Sequence, residues 1–89
     1  MGAASKALTA SGVVKSRPGM LAAVLLTAGA DAASVTIYDN TAGSGTKLAV
    51  LKAGNGATVS FTPAVPVVAG VGLYATITGT TPDVVVVYA

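Results

Sequence analysis

The residues of this sequence that could do chemistry meet in one short stretch, "AGSGTK", at residues 42–47. Its glycines, hydroxyl groups and lysine are the residue types of a phosphate-binding loop. Such a loop leads from a strand into a helix, because the helix N-terminal amides and the lysine hold the anion together. Here Lys47 is followed by "LAVL", which is typical of a strand. We therefore interpret the stretch as a β-hairpin loop of five to seven residues and not as a nucleotide site.

The polar residues of this loop fit a turn. Asp39 and Asn40 have side chains that can cap a turn by bonding to nearby backbone. Gly43 and Gly45 can adopt the positive φ angles that hairpin loops require. The sequence therefore predicts that these four residues shape the hairpin.

Few other residues could support catalysis or bind a metal. The chain has no His and no Cys, which removes the commonest metal ligand, the usual general base at neutral pH and any disulfide. Its three carboxylates, Asp31, Asp39 and Asp83, each lie beside a predicted turn without calcium-loop spacing. The nucleophile–base pair left is Lys with Ser, and nothing in the sequence places those together. We predict that the protein is not an enzyme and has no catalytic residues, metal or cofactor.

The charge content limits the partners that the protein can have. Only 9% of the 89 residues are charged, 53% are hydrophobic and the net charge is +2. The cations are too sparse for a groove that follows a phosphate backbone. The apolar run at residues 18–30 is shorter than the about 20 residues that a membrane-spanning helix needs. We expect neither a nucleic-acid nor a membrane partner, and we expect other subunits to cover part of the surface.

The pattern of residues predicts an all-β fold. Runs rich in Val, Ile and Thr alternate with Gly, Pro, Asn and Asp, as in a compact antiparallel β-sandwich or a jelly-roll-like barrel. About seven strands are predicted, at residues 8–16, 20–27, 34–39, 46–52, 57–62, 72–78 and 83–88. Residues 1–11 are predicted to be an N-terminal arm that orders only on a partner surface, and residues 12–89 to be a single sandwich domain.

Two of the predicted strands have no polar face. They are "LAAVLL" within residues 20–27 and "VVVV" at residues 84–87, and such strands are expected to be covered on both sides. The first run has two alternatives, a helix or the core of a secretory signal that ends at a small-residue site, Ala30 to Ala32. Cleavage there would leave too little chain to fold, so we interpret the run as a buried strand.

The other strands alternate between an apolar and a polar face. The pairs that share an apolar face are Val35 with Ile37, Leu48 with Val50, Val59 with Phe61, and Leu73 with Ala75 and Ile77. Tyr38 and Tyr74 fall on the polar faces. They could stack on a sugar or contact a partner, but the simpler interpretation is that they pack across strands.

The segments "SGVVKSRPGMLAAVLLTAGADAASVTIYDNTAGSGTKL" and "LYATITGTTPDVVVVY" together resemble small virion proteins of tailed bacteriophages. This resemblance implies a compact β-sandwich that decorates or cements the capsid, or belongs to a head fibre or tail. It also implies a symmetric homo-oligomer, with a trimer expected, and the major capsid protein or a neighbouring virion protein as a partner.

Two functions are therefore expected from the sequence. The first is a capsid decoration or cement protein, located on the virion, that binds and stabilises the shell. The alternative is a tail or head-fibre component or a carbohydrate-binding adhesion module, for which Tyr38, Tyr74 and the loops would form the ligand platform. An aromatic-lined groove would favour the carbohydrate-binding function, and a flat apolar contact face would favour the decoration protein.

Overall fold

The chain folds into two packed antiparallel β-sheets, as the sequence predicts. The computed structural model describes residues 4–89, which form nine strands and no helix. The strands are β1 Ala4–Leu8, β2 Gly12–Lys15, β3 Gly19–Thr27, β4 Ala33–Asp39, β5 Thr46–Ala53, β6 Thr58–Phe61, β7 Val67–Ala69, β8 Leu73–Thr78 and β9 Asp83–Tyr88.

Two strands lie beyond the predicted seven. One is β1, which falls almost wholly in the predicted arm, while β2 represents the predicted strand at residues 8–16 and lies in the other sheet. After β6, Pro63 and Pro66 break the ladder because proline cannot donate a backbone hydrogen bond. The chain then resumes pairing as β7 along the same partner, β3.

Most connections cross between the sheets. Sheet A has the order β1-β9-β3-β6, with β7 also paired to β3, and sheet B has the order β2-β8-β4-β5. Only the β4–β5 hairpin and the β6–β7 edge join consecutive strands within one sheet. The molecule measures 35 × 24 × 17 Å along its principal axes, and the shortest extent is that of two twisted layers packed about 10 Å apart.

The core lies between the sheets and contains aliphatic side chains and alanines. Its largest fully buried members are Leu21, Val24, Leu26, Val35, Ile37, Leu73, Val84 and Val86. The partly buried side chains of Val59, Phe61 and Ile77 pack against it. The predicted inward faces of β4, β6 and β8 are therefore confirmed.

Strand β5 divides its predicted apolar pair, because Leu48 packs against the core while Val50 faces outward and the register shifts between them. Val50 is 53% exposed, and the buried residues are Ala49, Leu51 and Ala53. Val50 lies opposite Thr36 on the outer face of sheet B. The inner face of β5 is thus lined largely with small side chains, which a hydrophobic pattern alone does not identify as core.

The N-terminal segment is not the free arm predicted over residues 1–11. Ala4–Leu8 forms β1, an edge strand of sheet A that pairs with β9 over its whole length. Its ordering surface is part of the same chain, because β9 offers a complete row of backbone donors and acceptors. Residues 1–3 of the predicted arm lie outside the described residues. Within the described residues, strand pairing therefore includes Ala4–Leu8, which precede the predicted domain boundary at residue 12.

Candidate interaction surface

The "AGSGTK" stretch is a hairpin loop between β4 and β5. Asn40 holds it from within, since its Nδ2 donates to Ser44 O at 2.8 Å and its Oδ1 accepts from Thr41 N at 2.8 Å. Gly45 has the expected positive φ of 106°. Lys47 belongs to the following strand, so no helix N-terminus faces the loop. The interpretation as a turn is confirmed.

Gly43 has another role than the one predicted. It is not among the residues with positive φ. A Cβ atom at this position would lie 3.0 Å from Thr76 Oγ1 and 3.3 Å from Tyr74 Cε1. Gly43 therefore lets the loop backbone lie against the outer face of sheet B.

Asp39 caps a different loop from the one predicted. Its Oδ1 accepts from the backbone amides of Val71 at 2.8 Å and Gly72 at 3.3 Å, and its Oδ2 accepts from Gly70 at 3.0 Å. The hydrogen bonds from Val71, Gly70 and Gly72 hold the pKa of this carboxyl below its ordinary value, against a small opposing effect of desolvation. Asp39 thus fixes the β7–β8 loop to the end of β4, a long-range contact that local turn statistics could not indicate.

We expect Asp39→Asn to destabilise the protein at neutral pH, because an amide nitrogen replaces one of the two accepting oxygens and the negative charge is lost. The folded-state pKa is lowered, so the stabilisation is complete above the unfolded pKa of about 3.9 and is lost as pH falls through the folded pKa. Urea unfolding at pH 7 and at pH 2.5 measures this. The difference between the two proteins should shrink at the lower pH.

Lys52→Gln is the control for Asp39→Asn, because it removes one exposed charge on the edge strand of sheet B. If Asp39→Asn loses no more stability than this control at pH 7, the hydrogen bonds between Asp39 and the β7–β8 loop do not stabilise the fold.

The three carboxylates do not assemble. Asp31 Oδ2 accepts from Thr80 Oγ1 at 2.8 Å, while Asp39 binds the β7–β8 loop and Asp83 begins β9. Within residues 4–89 no group of three metal-ligating side chains comes together. The same residues include no helix long and apolar enough to cross a membrane.

Tyr38 and Tyr74 are direct neighbours on the outer face of sheet B. They are Cα partners in the β4–β8 ladder, and both are half-buried. Hydroxyl groups continue this face, where Ser34 Oγ and Thr78 Oγ1 are 2.6 Å apart. Such a pair stabilises a sheet as a cross-strand contact without a ligand.

The outer face of sheet A is largely apolar, and the rest of residues 4–89 does not cover it. In β9, Val84 and Val86 are fully buried, but Val85 is 37% exposed. In β3, Leu21, Val24 and Leu26 are fully buried, but Leu25 is 41% exposed. Residues 4–89 therefore cover one side of these strands, and the coverage of the other side by a neighbouring subunit stays a prediction. A small sandwich has no third layer to cover the outer side.

The ladder aligns these exposed side chains across four strands. Ala7 of β1 lies opposite Val85 of β9, which lies opposite Leu25 of β3. Val87 and Ala23 form the next row, and Met20 lies opposite Val68 of β7. Together these residues form the apolar face: Ala7, Met20, Ala23, Leu25, Val68, Val85 and Val87. None of these seven residues is charged.

A groove opens at one end of the apolar face, beside Met20 and Val68. Its volume is about 450 Å³. Its lining within residues 4–89 is mostly aliphatic and includes Pro18, Gly70 and Ala89, with Lys15 as the one charged side chain. Its described lining includes no aromatic side chain that could stack on a sugar. Because Met20 and Val68 belong to both, the groove is an extension of the apolar face.

The groove is held by backbone hydrogen bonds. Ala89 and Met20 exchange two of them, at 2.9 and 3.0 Å. Lys15 Nζ also donates to Ala89 O at 3.1 Å. On the opposite wall of the groove, Gly70 is held in place because its amide donates to Asp39.

Unlike the apolar face, the edges of the sheets carry lysines and prolines, which oppose pairing with a further strand. Lys6 reaches from edge strand β1 to Val13 O of β2, at 2.8 Å. Edge strand β5 carries Lys47 and Lys52. The β6–β7 edge is broken between its strands by two prolines. Inward-directed lysines, edge charges and prolines are how natural sheets avoid edge-to-edge association. The surface left open to association is therefore the apolar face.

Sequence reasoning identified the strands that form this surface and assigned their second side to another subunit, but it did not identify which residues lie on that side. These strands were identified by the lack of polar residues in "LAAVLL" and "VVVV". That pattern does not show what covers their second side. Comparison of the chain with protein-family models, with curated proteins and with solved structures finds no significant match. The surface itself, and no relative, must therefore indicate what this protein does.

Proposed function

We propose that this protein is a non-enzymatic structural protein that works by binding other subunits through the apolar face of sheet A. The observation that carries the proposal is the uncharged row of Ala7, Val85 and Leu25 across the centre of that sheet. A contiguous exposed apolar patch on a small domain typically marks a protein–protein contact. Burying it removes apolar area from water at about 25 cal/mol per Å².

The chemistry of the chain supports binding over catalysis. The carboxylates of Asp31 and Asp39 already accept hydrogen bonds from their own chain, and Lys15 and Lys6 donate to backbone carbonyls. These groups strengthen loops and edges. A role in assembly uses the apolar surface and leaves these polar contacts in place.

The specific role that we propose is that of a capsid decoration or cement protein of a tailed bacteriophage, which stabilises the shell from its surface. Support comes from the resemblance to small phage virion proteins and from the low charge content of 9%, which suits a domain buried among subunits. The proposed partners are further copies of the chain and the major capsid protein or a neighbouring virion protein. A trimer is the assembly that the resemblance implies.

A second candidate is a tail or head-fibre component or a carbohydrate-binding adhesion module. The observation that favours it is the adjacency of Tyr38 and Tyr74 on an outer face, because paired tyrosines can stack on a sugar ring. The aliphatic lining of the groove gives it no further support.

Purified virions test the proposal. Mass spectrometry should find the protein in them, and immunogold labelling should place it on the capsid. Shells purified from a phage that lacks the gene should melt at a higher temperature after the protein is added back. Absence from the particle, or labelling restricted to the tail, would contradict the decoration role. Binding to a glycan array that Tyr74→Ala abolishes would favour the adhesion module.

A further inference from the structure

We propose that the occupant of the apolar face is a second copy of this chain, packed face to face and antiparallel about a two-fold axis that crosses the sheet near Ala23 and Val87. This inference deepens the proposed function, since it names the partner of the same surface. It rests on the dimensions of the sheet, on the distribution of apolar and polar residues, and on the positions of the charges at its two ends.

The dimensions fit a contact between two copies. The two larger extents of the molecule, 35 and 24 Å, bound a broad side whose outline is on the order of 800 Å², the area that each partner contributes to a standard protein interface. A stable pair must therefore use most of this side, including the polar residues around the apolar face. The second copy also supplies the missing third layer.

The centre and rim of the surface have the composition of an interface. Val85 and Leu25 lie at the centre, where they are exposed in the single chain. Small polar residues surround them, with Ser5 opposite Val87 and Ser60 opposite Leu25. A hydrophobic centre with a polar rim is the usual anatomy of a protein interface. The lysines and prolines at the edges oppose strand addition, so stacking of faces is the mode that remains.

The charges at the two ends of sheet A have opposite sign. At one end Asp83 begins β9 opposite Thr27, and Asp31 follows β3 and binds Thr80. At the other end Lys15 and Arg17 precede β3, where Lys15 reaches Ala89. Asp39 also lies at this end, where it binds the Gly70 amide, so Lys15 and Arg17 against Asp39 leave an excess of one positive charge. The surface is therefore acidic at one end and weakly basic at the other.

This polarity selects the antiparallel arrangement. When the second copy is turned about the two-fold axis, its Asp83 end lies over the Arg17 end of the first copy, and the reverse pairing forms at the same time. A parallel arrangement would oppose like charges at both ends. Complementary charges set the orientation of an interface, and a two-fold contact uses one self-complementary patch. The trimer that the resemblance implies needs two different patches on each chain, so the two-fold pair replaces it as the assembly proposed for this surface.

The outer face of sheet B remains free in such a dimer. It carries Tyr38 and Tyr74, with Lys47 and Lys52 on its edge strand. Tyrosine and exposed cations are suited to a mixed polar contact with a neighbouring protein. The dimer therefore assigns self-association to sheet A and leaves sheet B for the shell.

Sedimentation equilibrium with the variant Val85→Lys tests the position of the interface. The unaltered protein should have twice the mass of a single chain at micromolar concentration. Val85→Lys should be a folded monomer whose dissociation constant is raised about a hundredfold or more, because each copy would bury an unpaired ammonium. The matched control is Val50→Lys, which places the same charge at an exposed valine of sheet B and should remain dimeric.

A charge exchange tests the orientation. Arg17→Asp and Asp83→Arg should each weaken the dimer, because a like-charge pair then forms twice. The double variant should recover the affinity of the unaltered protein, since both pairs are restored with reversed sign. Lys52→Asp, on sheet B, should change nothing.

Each alternative outcome overturns the inference. A monomer or a trimer at high micromolar concentration excludes the two-fold pair, and a double variant weaker than both single variants excludes the antiparallel orientation. These results are separable from the proposed function. A monomer that still binds shells would refute the dimer alone, whereas a dimer that is absent from virions would refute the decoration role alone.

Discussion

Val86→Lys is expected to unfold the protein, whereas Val85→Lys, one residue earlier, is expected to leave it folded. Val86 is fully buried and lies opposite Val24 of β3 and Lys6 of β1. Its side chain points between the sheets, where residues 4–89 provide no buried polar or charged side chain. An ammonium placed there without a partner costs several kcal/mol.

That cost is large compared with the total stability of such a domain. Folded proteins are stable by only about 5–15 kcal/mol, and small domains lie toward the lower limit because they bury less of their surface. Val86→Lys should therefore lose the cooperative unfolding transition. Val85 is 37% exposed, so a lysine there can extend into solvent and destabilises self-association without destabilising the fold.

Circular dichroism during urea unfolding measures the two variants. Val86→Ala is the matched control for the loss of volume, and it should retain a transition that is weaker by about 1–3 kcal/mol. A Val86→Lys protein that unfolds at the midpoint of the unaltered chain would mean that this valine does not face the core. In that event the assignment of inner and outer faces along β9 would be wrong.

The buried side was predictable for strands with one polar face, because polar and apolar residues alternate along them. Val35 and Ile37 in β4 follow the period of two, and both are fully buried. The strands without a polar face contain no such information. For "VVVV" the sequence predicts one side in the core and one side against a neighbour, but only the structure shows that Val84 and Val86 are buried and Val85 is exposed.

The loops were predicted where their contacts are local. Asn40 bonds within its own hairpin, and its residue type was sufficient to predict a turn. Asp39, the neighbouring residue, instead binds amides more than thirty residues away. Such a contact depends on which strands become neighbours, and sheet order is set by the packing of the whole chain. The candidate surface is non-local for the same reason, since its central row combines β1, β9 and β3.

The N-terminal strand provides the last prediction. Deletion of residues 1–9 is expected to make the protein aggregate, because it turns β9 into an edge strand. In the intact chain β1 pairs with β9 through five residue pairs, from Ala4 with Tyr88 to Leu8 with Val84. Without β1, the backbone donors and acceptors on that side of "VVVV" are exposed. An apolar, strongly β-forming edge without proline or glycine is a template for pairing with other chains.

The protection that β1 provides includes its lysine. Lys6 lies opposite Val86, and its side chain reaches Val13 O at 2.8 Å. The deletion removes this lysine together with the strand, and Asp83 is then the one charged residue of the new edge. If residues 1–11 were an arm that orders only on a partner, the same deletion would leave a soluble sandwich.

Thioflavin fluorescence and light scattering during incubation at 37 °C distinguish these outcomes. The shortened chain should form fibrillar aggregates within the period in which the intact protein stays clear. Deletion of residues 1–3 is the control, because it retains all of β1. Adding Val85→Lys to the long deletion should restore solubility, since an edge charge opposes pairing between chains and this side chain can reach solvent. A soluble, folded chain without residues 1–9 would show that β9 does not depend on β1 for protection.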